Sequence, residues 1–306
     1  MFKEIKGVLP VILMPYDDAF NVHEEDFIRQ AEHLIEVGCD GFVIGQVSEL
    51  LRLTTHERFR IAELSVEAAK GRCITVMSTG GESIKSAVEF SKQAESVGID
   101  ALLVMHPSIM ALQDDEMFRY FAQVIEAVDI PVIIHHAKSL AKRPLSIEVQ
   151  AQLLHQYGAE KVLFKPESSP TPPRLSQLRD ATDGQAQIFE GDGGMMLLDC
   201  YKRGLKGSIP ATETAEIMIT MWDLLQKEET EKARQLGHGI SYLMCQMMNS
   251  IDCYAAIAKH FLKQRGLITN THVRPPIDYK VDPESLREAE QTYNHLLQLA
   301  NQLKAE

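Results

Sequence analysis

Lys165 closes the short apolar stretch Val162-Leu163-Phe164 and is followed at once by Pro166-Glu167, so it stands where a buried strand opens into a loop. Lysine is seldom fully buried, and desolvation disfavours its charged form. An amine held in such a place is nucleophilic near physiological pH, the property that imine formation with a ketone or aldehyde requires. For an isolated Lys-Pro-Glu the ordinary reading is different: a strand-end lysine that reaches water or pairs with Glu167. The elements around it decide between the two.

Helix-like segments that end in glycine are followed, again and again, by a short apolar run. Val37-Gly38 leads into 41–45, Lys70-Gly71 into 73–77, Val97-Gly98 into 101–105, Tyr157-Gly158 into 162–164 and Arg203-Gly204 into 207–209. Glycine suits the left-handed position that stops a helix, and the runs are too short for anything but strands. The stretches between have helical spacing: Ala87, Val88, Ser91 and Ala94 share a face with Ile84, as Ala31, Leu34 and Ile35 do with Phe27. Thr54 and Glu57 form a capping box ahead of the second helix. With 130–134 and 188–190 filling the gaps, strands are expected to begin near Val8, Phe42, Ile74, Ala101, Pro131, Val162, Ala186 and Gly207.

Eight apolar strands alternating with helices predict an α/β chain, a closed (β/α)8 TIM barrel over 1–225. An open doubly wound sheet usually carries a glycine-rich turn after its first strand, where this chain has Met14-Pro15-Tyr16-Asp17. Beyond 225 the pattern is helical only. This C-terminal helical extension covers 226–306 and includes a last helix capped by Asp282, opened by Pro283 and running to Leu303. Met244, Met247 and Met248 read there as packing rather than a cofactor box.

Composition excludes several classes. A formal charge of -12 and a pI near 5.4 oppose a phosphate-backbone footprint, so nucleic acid is not an expected partner. The apolar run 8–14 is short and broken by Pro10, so neither a membrane span nor a signal peptide is expected. Cys39, Cys73, Cys200, Cys245 and Cys253 are scattered without C-x-x-C spacing, which fits buried free thiols in a cytoplasmic protein.

Chemistry in such a barrel gathers at the C-terminal ends of the strands. Those ends carry Gly45-Gln46-Val47-Ser48-Glu49, His106-Pro107, His135-His136, Lys165-Pro166-Glu167, Gly191-Asp192-Gly193-Gly194 and Ser208-Ile209-Pro210. The first strand has no H-x-H, and adjacent His135 and His136 point to opposite sides, so no metal site is expected. Both alternate sets of that strand are apolar, which leaves open which histidine faces the axis.

Five features in register resemble one superfamily over essentially the whole chain. They are G-x-x-x-E at Gly45 to Glu49, the lysine that ends the sixth strand, Gly191-Asp192, Gly207-Ser208-Ile209 and Val273-Arg274-Pro275-Pro276. The resemblance is to the dihydrodipicolinate synthase and N-acetylneuraminate lyase superfamily, the class I Schiff-base enzymes. It implies the same barrel, an imine between Lys165 and a small 2-oxo acid with no other cofactor, and a homotetramer or homodimer. Departures narrow the expectation. Gln46, Val47 and Ser48 stand where the family's synthases and aldolases carry two hydroxyl residues and a glycine. His135 replaces a proton-shuttling tyrosine, Ser108 an aromatic, and Leu140 an arginine that binds the second substrate of the synthases. Dihydrodipicolinate synthase activity is therefore not expected. Gln46-Val47-Ser48-Glu49 with Phe164-Lys165-Pro166-Glu167 is more similar to the sugar-acid dehydratase branch, such as 2-keto-3-deoxyarabonate dehydratases.

The expected reaction is a lyase reaction on a 2-oxo acid with a hydroxyl at C4. Lys165 attacks C2, and the iminium lets a proton leave C3; loss of the C4 hydroxyl is dehydration, and cleavage between C3 and C4 is a pyruvate-releasing aldol reversal. His135 is the candidate acid-base group, opposed by its reading as an ordinary strand-end histidine. Glu49 and Glu167 assist proton transfer or position the amine. On the resemblance, Gln46, Ser48 and Ser208 donate to the substrate carboxylate, and Val47 beside them belongs to the substrate-binding set. Gly191 and Gly193 permit close backbone approach to substrate, and Asp192 either binds substrate or caps the seventh helix. His106, Ser108, Met110 and Lys138 are the loop residues expected to read the distal groups. A 2-oxo-acid-binding descendant without turnover is the reading from another class.

Overall fold

The computed structural model describes residues 3–137 and 143–306; Lys138 and Leu140 lie outside the described residues. The chain alternates β1 (Gly7–Val8), α1 (Glu24–Glu36), β2 (Gly41–Ile44), α2 (Thr55–Ala69), β3 (Ile74–Ser78), α3 (Ile84–Val97), β4 (Ala101–Met105) and α4 (Asp114–Ala127). It continues through β5 (Val132–His136), α5 (Ile147–Tyr157), β6 (Val162–Pro166), α6 (Thr171–Ala181), β7 (Ile188–Glu190), α7 (Leu197–Tyr201), β8 (Leu205–Ser208) and α8 (Ala215–Gln226). The extension adds α9 (Thr230–Met247), α10 (Ile251–Gln264) and α11 (Pro283–Ala305).

All eight strands are parallel, each beside its sequence neighbour, with β1 paired to β8. The ring closes through the segment after β1. Leu9 and Val11 donate to Ser208 and Pro210 at 3.0 and 2.8 Å, and on the other side Ile12 donates to Val43 at 3.0 Å and Val43 to Pro10 at 2.9 Å. Pro10 shares the β2-facing alternation of Ile12 and has no N–H to donate there, so it meets β2 only through its carbonyl. This is the (β/α)8 barrel that the alternation predicts. Strand starts agree to within two residues, β7 opening at Ile188 rather than Ala186 and β8 at Leu205 rather than Gly207.

Strand alternation sorts the core into two layers. Leu103, Ile133, Leu163 and Phe189 point into the barrel, whereas Val104, Ile134 and Phe164 lie under the helices. Burying each such side chain contributes roughly 1.5–3 kcal/mol. The inner layer is continuous with α8 to α11, so barrel and extension share one apolar core. Local signals set the helix ends: Thr54 and Glu57 make the reciprocal capping box of α2, Asp282 caps α11 through Ser285 N, and Gly98 ends α3 at φ 100°. Four of the five cysteines are buried; Cys245 is exposed, which corrects the expectation that all five are. Among the described residues no helix is long and apolar enough to cross a membrane.

Candidate active site

The inner face of β6 runs Leu163, Lys165, and that of β5 runs Ile133, His135, with His135 and Lys165 directly paired in register. The i, i+2 spacing of a strand then carries Glu167 to the same face, because Glu167 N donates to His136 O at 3.0 Å and continues the pairing past Pro166. Three functional groups meet. Lys165 Nζ lies 3.2 Å from His135 Nε2 and donates to Glu167 Oε1, while His135 Nε2 is 3.2 Å from Glu167 Oε2. Lys165 is 6% exposed, a buried amine with a bound carboxylate beside it. Burial, then the charge of Lys165, holds the His135 imidazole below its ordinary value, with Glu167 opposing. Burial pushes the Glu167 carboxyl upward, but Lys165 and His135 together outweigh it and keep the group well below the usual carboxylate range. His136 faces the other way: its Nδ1 is 2.7 Å from Ser168 Oγ, and burial, then His106, lowers it to about 4.

A cavity of about 200 Å³ opens above this cluster. Val11, Leu103 and Ile209 give it apolar walls; Gln46, Val47 and Asp192 border it from the β2 and β7 loops. The β2 loop is a 3₁₀ turn, Gln46–Ser48, whose leading N–H groups have no carbonyl within the turn to bond. Ser48 holds that turn rather than facing the cavity: its hydroxyl donates to Ile12 O at 2.5 Å and accepts from Gly45 N at 3.0 Å. Met248, Asn249, Ser250, Ile251 and Tyr254, from the end of α9 and the start of α10, complete the walls.

The model of the dihydrodipicolinate synthetase family matches residues 4–296. The chain belongs to that family. Its members are lyases in the broad sense, and this one is 27% identical over 238 residues to the 4-hydroxy-tetrahydrodipicolinate synthase of Methanopyrus kandleri, covering 77% of this chain and 79% of the relative. It is also 27% identical over 267 residues to the N-acetylneuraminate lyase of Clostridium perfringens, covering 86% and 90%. Among solved structures, the 4-hydroxy-tetrahydrodipicolinate synthase of Methylacidiphilum fumariolicum superposes with a TM-score of 0.90 at 22% identity over 99% of both chains, a likeness of fold.

Within this family member the structure brings Lys165, His135 and Glu167 together, with Gln46, Val47 and Asp192 at the cavity wall. Other expected residues are placed elsewhere. Glu49, in a left-handed conformation at φ 54°, accepts from Lys259 Nζ and, at 2.8 Å, from Arg274 N. It organises the loop and does not touch the amine, a correction to its expected place beside Lys165. Ser208 donates to Glu190 Oε2 at 3.0 Å and so is occupied, and His106 is buried with Nδ1 against Pro107 O at 2.7 Å. Gly193 lines the cavity, while a Cβ at Gly191 would overlap Glu167 Oε1 and one at Gly193 would overlap Met244 Sδ, so each glycine also makes room for one of the protein's own side chains. Asp192 does not cap α7, whose N-cap is Met196. Ser108 binds Glu82 and Met110 is exposed. Among the described residues no cluster of three or more His, Cys, Asp or Glu side chains is set to hold a metal.

Asn249, Ser250 and Tyr254 escape sequence reasoning because they belong to the extension, whose helical periodicity points only to packing. The polar pair Asn249-Ser250 interrupting a methionine-rich run was the available signal. The Val273-Arg274-Pro275-Pro276 motif gains a physical role: Arg274 ties the segment before α11 to Glu57, Phe20 O and Arg52 O, stabilising the rim of the β2 loop.

Proposed function

We propose that this chain is a Schiff-base lyase that dehydrates a 2-keto-3-deoxy sugar acid through an imine on Lys165. The observation that carries the reading is the buried amine at the cavity floor, bound to a carboxylate and touching an imidazole. The substrate carboxylate meets the N–H groups that open the Gln46–Ser48 turn. Lys165 Nζ adds to C2, and the carbinolamine oxygen leaves as water, with protons moved by Glu167 and His135. Glu167, ionised across the neutral range, then accepts the C3 proton; the electron pair of that bond forms the enamine. Expulsion of the C4 hydroxyl as water completes the elimination, and hydrolysis of the imine returns the amine. No further cofactor enters this scheme. A homotetramer in a reducing cytoplasm is part of the same proposal, with mass in solution as its check.

Borohydride reduction in the presence of pyruvate or a 2-keto-3-deoxy acid, followed by intact mass and peptide mapping, tests the imine. An adduct on Lys165 is expected; its absence, or an adduct elsewhere, overturns the reading and leaves a binding protein without imine chemistry. Incubation with 2-keto-3-deoxy pentonates and hexonates tests the elimination. Stoichiometric pyruvate would identify an aldolase instead.

A further inference from the structure

Tyr254 stands in the first turn of α10 and lines the cavity, yet its hydroxyl points to a second acid. It donates to Oε1 of Glu213, which lies in the 3₁₀ turn Thr212–Thr214 just after β8. Glu213 is fully buried, and its Oε2 has no hydrogen-bond partner among the described residues. A tie that merely fastened α10 to the barrel needs one acceptor, which an amide oxygen supplies without burying a titratable group. The other groups around Glu213 are Tyr293 of α11, which donates to its backbone oxygen at 2.8 Å, and behind it Arg265, paired with Glu216 of α8 at 2.7 Å. Burial, against the bond from Tyr254, pushes the Glu213 carboxyl up to about 7, so near neutral pH it passes between acid and carboxylate and can exchange a proton.

We propose that Tyr254 and Glu213 form a proton relay that protonates the hydroxyl leaving C4. The inference rests on the Schiff-base reading of Lys165. With the carboxylate at the Gln46–Ser48 turn and C2 on Lys165, the rest of the substrate extends toward the α9–α10 wall, where Asn249 is held by Gln246 O and Ser250 by Asp278, and Tyr254 carries the group that can donate a proton. The inner end of β5 supplies an imidazole there and no phenol; α10 supplies the phenol. In the elimination step the enamine electrons form the C3–C4 double bond and the C4–O bond breaks. For this step the protonated Glu213 donates to the phenol oxygen, the reverse of the bond in the resting structure; the Tyr254 proton turns to the C4 oxygen and departs with it as water, and the Glu213 carboxylic proton restores the phenol. The C3 proton held by Glu167 passes to solvent, and solvent reprotonates Glu213 between turnovers.

The test compares the wild type with Tyr254→Phe and Glu213→Gln, each checked for folding by circular dichroism. Readouts are borohydride trapping at Lys165 and the dehydration rate as a function of pH. Trapping is expected to persist in both variants. Tyr254→Phe is expected to lower kcat about 100-fold, and either variant to lose the decline in rate above about pH 7 that the wild type shows as Glu213 ionises. Glu213→Gln keeps an acceptor for the tyrosine but no proton to give, so a purely structural tie would survive it. Unchanged kcat and pH profile in a folded variant overturn the relay, and each variant decides alone should the other fail to fold. Failure of the wild type to trap a 2-oxo acid would instead overturn the imine, a separate result.

Discussion

Glu167 is the residue through which Lys165 and His135 are coupled, one carboxylate oxygen to each. It sits two residues beyond the lysine on the same strand face, and Gly191 leaves the space its carboxylate occupies. Its charge is maintained by the two cationic or proton-bearing neighbours in spite of burial. Glu167→Gln retains shape and one acceptor but cannot take a proton. We expect kcat to fall about 100-fold while the borohydride adduct on Lys165 still forms. Single-turnover kinetics with a 2-keto-3-deoxy acid, alongside trapping, checks this; an unchanged kcat would make Glu167 a mere partner of the ammonium. Lys-Pro-Glu was legible in the sequence because strand periodicity alone aligns its first and third residues. The selection of His135 over His136 was not, since both faces of β5 are apolar and only the register with β6 distinguishes them.

At the scale of elements, the β2 loop is held from the far end of the chain. Glu49 pairs with Lys259, both fully inaccessible at their side chains, and Lys259 also donates to His272 O at 2.6 Å. Burial holds the Lys259 ammonium below its ordinary value, with Glu49 opposing. Removing Lys259 leaves the buried Glu49 carboxylate with only Arg274 N and the more distant Arg52, at 3.7 Å, which costs up to about 3–5 kcal/mol. Lys259→Met should therefore destabilise by about that amount in urea unfolding and raise KM, because the Gln46–Ser48 turn loses its anchor. Adding Glu49→Gln to it should restore part of the loss, since the stranded charge is then gone; a double variant no more stable than Lys259→Met would show that the pair is not coupled. The barrel was readable from glycine-stopped helices and short apolar runs because each is a local signal. Glu49 and Lys259 are 210 positions apart, and no local pattern announces such a pair. The same distance hid the contribution of α10 to the cavity.

For the whole molecule, buried carboxyls that stay protonated make folding sensitive to alkaline pH. Glu190 is the clearest case. Burial, then the charge of Asp192, raises its carboxyl from 4.5 to about 8, while Ser208 donates to it. Between those values the folded chain holds a proton that the unfolded chain has released. Stability from this group is thus fully present below pH 4.5 and is lost as pH rises toward 8. Glu57 works in the opposite sense: the Arg274 guanidinium lowers it to about 2, so its stabilisation is present above 4.5 and is lost as pH falls from there through about 2. His136, lowered to about 4 chiefly by burial, also favours the folded state as pH rises toward 6.5, so the shape of the wild-type curve alone does not isolate Glu190. A difference measurement does. Glu190→Gln keeps an acceptor for Ser208 and cannot ionise, so the melting temperature of the variant relative to wild type should climb steadily from pH 5 and level off above about 8. A pH-independent difference in scanning fluorimetry would mean that Glu190 is already ionised in the folded protein, and that Ser208 and the β7–β8 ends hold a charge rather than a neutral acid.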